Sequence, residues 1–137
     1  MTRVAVDPHG RPPGRRDAGA AAVEFVLVGV LLTALFLAIV QLGMDLHVRN
    51  VLVASASEGA RYGANANRVP AEGADRAREL IGEALSARFA GDVSAGTEVV
   101  DGAETVVVRV RAPLPVFAWY GPGGTLRVSG HALREGV

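Results

Sequence analysis

An α+β fold carried on one long apolar helix is predicted by three features of the sequence. Phe25 to Met44 contains no charged residue, residues 70–90 carry an amphipathic helical stripe, and residues 93–133 alternate apolar with polar around Asp101-Gly102. Helices followed by strands place the chain in the α+β class. The expected order is a long N-terminal membrane-spanning helix continuing outward, a second amphipathic helix, and a three-stranded antiparallel sheet covered on one face.

The first helix follows from length and composition. The 20 uncharged residues of Phe25–Met44 span about 30 Å as a helix, the thickness of a bilayer's hydrocarbon core. Thirteen of them are Leu, Ile, Val or Phe. At roughly −0.3 to −0.6 kcal/mol each, insertion gains about 4–8 kcal/mol, against a cost of about 3 or less for one acid. That acid is Glu24. An ionisable group in such a position calls for a partner or a function.

Ahead of the helix, Met1 to Ala18 is rich in Pro, Gly and Arg and is expected to be disordered, making residues 1–19 a basic leader. Arg3, Arg11, Arg15 and Arg16 assign this arm to the cytoplasm, so the C-terminal part faces outward. Arg15-Arg16 shares only its two arginines with a twin-arginine export signal. Ala54-Ser55-Ala56 has the small-x-small form of a signal-peptidase site, but Asp45, His47 and Arg49 separate it from the apolar run.

Residues 20–44 are thus read as the membrane helix and 45–137 as a small extracytoplasmic domain. Beyond Met44 the helix is expected to continue to about Asn67, with Asp45 and Arg49 an i, i+4 pair of opposite charge. Ala56, Ala60 and Ala64 form one row of small residues, and Ser55, Gly59 and Gly63 another. Such rows let a second backbone approach closely. An alanine-rich composition would also produce them, but Gly59 and Gly63 each cost a helix about 1 kcal/mol relative to Ala. They are therefore the candidate packing residues.

Asn65 to Pro70 reads as a turn, with Pro70 opening the second helix. Leu80, Ile81, Ala84, Leu85 and Phe89 form its apolar stripe and Gly91 is its expected stop. Val93–Val100 and Ala103–Ala112 are expected to pair around Asp101-Gly102, a two-residue hairpin signal. Val93, Thr97, Val99, Val106, Val108 and Val110 then share one face, with Glu98, Thr105, Arg109 and Arg111 on the other. Thr125–Leu133 is the third strand, with Leu126 and Val128 inward. Residues 113–124 hold Phe117, Trp119 and Tyr120 between prolines and glycines. This loop is a candidate partner contact or a cap folded over the core.

Composition excludes several classes. Fourteen basic residues balance fourteen acidic ones, so nothing favours nucleic acid. Cysteine is absent, which removes disulfides and thiolate metal sites. His9, His47 and His131 have no metal-ligand spacing. No phosphate loop, nucleophile elbow or paired carboxylates occur. The chain is expected to be no enzyme, with no cofactor, metal or small-molecule substrate.

Arg15-Arg-Asp-Ala-Gly19 followed by Ala20-Ala-Ala-Val-Glu-Phe25 resembles the processing site of type IV pilin-like proteins. Val48-Arg-Asn50 and Glu58-Gly-Ala-Arg-Tyr-Gly63 narrow the resemblance to TadE-like pseudopilins of tight-adherence pilus systems. It covers Gly19 to Ala64. It implies that a prepilin-type peptidase cuts between Gly19 and Ala20, and that the mature chain joins or helps assemble a tight-adherence (Flp-type) pilus with other pilins or pseudopilins. A side chain at residue 19 would obstruct the peptidase. The new α-amine of Ala20 and the carboxylate of Glu24 would then pair, within one chain or between neighbours. Without cleavage, Glu24 would be held by the helix dipole and interfacial water, and the protein would be a single-pass anchored accessory or binding domain.

Overall fold

The computed structural model describes residues 15–114 and 124–134, with side chains from Gly19 onward. Two helices, Arg15–Ala64 (α1) and Pro70–Ala84 (α2), are followed by a 3-10 turn, Ala87–Phe89. Three strands follow among the described residues: Asp92–Val100 (β1), Ala103–Pro113 (β2) and Thr125–Leu133 (β3). They form one antiparallel sheet in the order β1-β2-β3. The chain divides into two compact units, Met1–Ile39 and Val40–Val137, described in turn below.

In the first unit, helix begins at Arg15 rather than at the expected Ala20. Helix extension is cooperative and inexpensive once a helix exists. Arg and Ala are good helix formers. Met1–Gly14, the rest of the expected leader, lies outside the described residues.

In the second unit, α1 buries Leu52, Ser55, Ala56, Gly59, Ala60, Gly63 and Ala64. This i, i+3, i+4, i+7 pattern marks one helical face. The helix stops at Ala64, three residues short of the expected Asn67. There the Arg68 N–H donates to the Asn65 carbonyl at 3.0 Å and closes a turn. Pro70 opens α2 as expected. The carboxylate of Glu72 reaches back to accept from the Val69 N–H at 3.1 Å, satisfying a donor at the helix start.

α2 ends at Ala84, well before Gly91. Its buried face is Gly73, Ala74, Ala77 and Ile81, while Ala84 is exposed and Leu80 and Leu85 are half-buried. Phe89 reaches the core from the 3-10 turn instead. Periodicity could not separate these routes, because residue 89 lies on the Ile81 face in a continuous helix as well.

The Asp101-Gly102 turn has φ of 52° and 80°, the pair of positive angles that a two-residue hairpin needs. Val93 stands opposite Val110, Ala95 opposite Val108 and Thr97 opposite Val106, the predicted register. Val106, Val108, Val110 and Ala112 are buried, and the last three share one core with α1 and α2 residues. Towards the hairpin the sheet outruns its cover: Thr97 is exposed and Val99 is 74% exposed. On the opposite face, Thr105 and Val107 are buried nonetheless, because a central strand is flanked by side chains on both sides.

β3 runs as predicted, with Leu126, Val128 and Ala132 packed on the core. A Cβ at Gly130 would collide with the backbone of Ala56 and Ser57. The strand therefore lies directly on α1.

Candidate functional site

The uncharged stretch of α1 has no internal cover. All thirteen of its large aliphatic and aromatic side chains from Phe25 to Leu42 are exposed, Phe25 at 80% and Phe36 at 64%. Removing each from water is worth about 1.5–3 kcal/mol, or about 20–40 together. That exceeds the net stability of a typical domain, about 5–15 kcal/mol, so an apolar surrounding would stabilise this helix strongly. Thr33 suits one: its Oγ1 donates to the Gly29 carbonyl at 2.8 Å, leaving no free hydroxyl hydrogen to solvate.

Gly19, Ala20 and Glu24 lie in consecutive turns of α1. A Cβ at Gly19 would meet nothing within 4 Å, so the backbone there is approachable. Ala20 and Glu24 are spaced i, i+4 on one face. Glu24 is exposed and has no ion pair among the described residues.

Gly59 and Gly63 face α2. A Cβ at Gly59 would lie 2.5 Å from the Gly73 carbonyl oxygen and 2.9 Å from the Ala77 Cβ. At Gly63 it would lie 3.3 Å from the Cα atoms of Gly73 and Pro70. The close approach that a small-residue row permits is here made by the chain's own second helix. Gly73, the matching residue on α2, escaped the sequence reading. Its signal was a glycine inside an amphipathic helix, followed by Ala74 and Ala77. Gly130, inside a strand, was missed in the same way.

Phe117, Trp119 and Tyr120 lie outside the described residues. At the base of their loop the Leu114 N–H donates to the Gly124 carbonyl at 3.0 Å. His47 and His131 are exposed and far apart in the chain, and no metal-binding cluster occurs among the described residues. Arg78 of α2 donates to the Val93 carbonyl of β1, and α2 also carries exposed ion pairs, including Arg76 with Glu79 at 2.6 Å. That hydrogen bond and charge raise the Arg76 pKa above its ordinary value. Pairs of this kind contribute little to stability.

Among the described residues these features define one candidate membrane helix near the N-terminus and a small α+β domain. The family model described as TadE-like protein matches residues 19–61, from the glycine before the apolar stretch into the buried small-residue face. Over this stretch, under half of the chain, the sequence is consistent with a TadE-like protein. TadE-like proteins are not known as enzymes. No curated protein and no solved structure matches the chain.

Proposed function

We propose that this chain is a pseudopilin that a prepilin-type peptidase processes between Gly19 and Ala20, and that it acts in assembly of a tight-adherence pilus. The observation that carries the reading is the placement of Glu24, a lone acid five residues after Gly19 at the start of an uncovered apolar helix. Proteolysis would create an α-amine one turn from that carboxylate. Each charge then lowers the cost of holding the other in an apolar surrounding. In a bundle of such helices, the amine of one chain would serve the carboxylate of its neighbour equally well.

The cleavage point suits a peptidase. Backbone must leave the helix to enter an active site, and Gly19 and Ala20 lie in the second turn of α1, next to a helix start that frays because its first N–H groups lack helical partners. Gly19 weakens the helix there further. The arginines before it favour a cytoplasmic N-terminus, which would put the domain outside the cell and the cut on the inner face.

Mass spectrometry of the protein extracted from its own host during pilus production is expected to show a chain starting at Ala20. A chain retaining Met1–Gly19 would overturn the processing claim and favour an uncleaved anchored accessory domain.

A further inference from the structure

We propose that the end of the sheet around Arg111 and Arg127 rests on the membrane surface, where these two arginines take the headgroups of anionic phospholipids. The proposal rests on the reading of α1 as a membrane anchor and adds a second, peripheral contact to it.

Strand direction sets which end of the sheet lies near the bilayer. Gly130 sits on Ala56 and Ser57, whereas Ala132 and Leu133 share a groove with Glu58, Tyr62 and Asn65. Moving forward along β3 therefore moves towards the C-terminal end of α1. Moving back from Gly130 leads towards the end of the uncharged run. At about 3.3 Å per strand residue, Arg127 lies about 10 Å on that side of Gly130 and Thr125 about 17 Å. Asp45, the first charge after the run, precedes Ala56 by about 16 Å along the helix. For a strand aligned with the helix axis, Arg127 would lie about 6–8 Å from the level of Asp45, within a headgroup layer and within reach of an arginine side chain.

The charges on this end are unsettled within the chain. The register places Arg111 directly opposite Arg127 on the face turned away from the helices. Like charges in that position destabilise a sheet. Their neighbour Arg109 is held by Glu98. Arg111 reaches Asp92 only at 4.0 Å, and Arg127 has no ion pair among the described residues. With Arg109 and Ser129 they line an open groove of about 310 Å³. Phosphate oxygens fit paired guanidinium groups, and a negatively charged leaflet attracts arginines held near its surface. Asp45 and Asp92 share the level, so the attraction comes from the local pair rather than from net charge.

The absence of cysteine allows single labels. The full chain would be reconstituted in phosphatidylcholine vesicles with and without one part in three of phosphatidylglycerol. Spin labels would be placed at Thr125→Cys, at Val99→Cys near the hairpin, and at Phe36→Cys in the apolar run. In the anionic vesicles the Thr125 label is expected to broaden the lipid phosphorus resonance several-fold more than the Val99 label. Arg111→Gln with Arg127→Gln should abolish that excess, and so should pure phosphatidylcholine. Removing the repulsion should leave the double variant at least as stable as the parent.

Equal broadening from Thr125 and Val99, or an excess that persists in neutral vesicles or in the double variant, would overturn the proposal. So would dipolar coupling between labels on two copies in place of headgroup contact, which would assign the face to a second chain. The Phe36 label tests the anchor separately: reduction by an aqueous reductant there would sink the membrane reading itself.

Discussion

Gly59 and Gly73 stand face to face, each backbone carbonyl occupying the space that the other residue's Cβ would need. The contact is reciprocal, so the two helices meet backbone to backbone. Such approach allows Cα–H groups to point at carbonyl oxygens, a weak but additive attraction.

Replacing Gly59 with alanine should therefore destabilise the domain. The substitution gains about 1 kcal/mol of helix propensity but forces overpacking that costs about 1–3. Gly82→Ala is the control, since its Cβ would meet nothing within 4 Å. Thermal unfolding of the full chain in detergent should show a lower midpoint for Gly59→Ala and an equal or higher one for Gly82→Ala.

Gly130→Val should be more severe. The added side chain would enter the backbone of α1 at Ala56, which cannot yield as a flexible side chain does. A loss of about 3 kcal/mol or more is expected, because β3 must shift off the helix. Protection of the β2–β3 amides from hydrogen exchange would fall selectively, while α1 amides before Asp45 would keep theirs.

Ile81→Ala tests the core on the α2 side. Ile81 is fully buried among residues of α1, α2 and the sheet, and truncation should cost about 2–5 kcal/mol. Leu80→Ala, one residue earlier and half-buried, should cost clearly less. Equal losses measured by chemical denaturation would place the α2 face wrongly.

Glu24→Gln separates charge pairing from processing. The proposed peptidase recognises Gly19, so the variant should still be cut, yet it should fail to enter pili because the new amine has no carboxylate. Cleavage is read by mass and incorporation by the protein content of sheared pili. Unchanged piliation would remove the pairing role from Glu24.

The turn at Asp101-Gly102 and the strand register were legible because both are local. A two-residue loop with positive φ admits few residue pairs, and alternation fixes which side chains share a face. The end of α2 was not legible: Phe89 satisfies the same core position from a helix or from a turn. Burial of Val107 was not legible either, since it depends on what flanks the central strand.

The candidate site divides in the same way. The i, i+4 spacing of Ala20 and Glu24 was readable within a single helix, while a cut after Gly19 is what the resemblance to type IV pilin-like proteins implies. The tie between Gly59 and Gly73 was not, because a small-residue row announces that a backbone approaches without saying whose.

By itself the sequence determined an uncharged helix long enough for a bilayer, an acid at its start, a hairpin with a known register and the α+β class. Each follows from forces that act between near neighbours or between one segment and its solvent. Tertiary structure alone decided that the glycine row of α1 meets α2, that β3 lies on α1 through Gly130, and that Arg111 faces Arg127. Those outcomes depend on distant segments sharing one small core, where the contact that excludes most water without collision prevails.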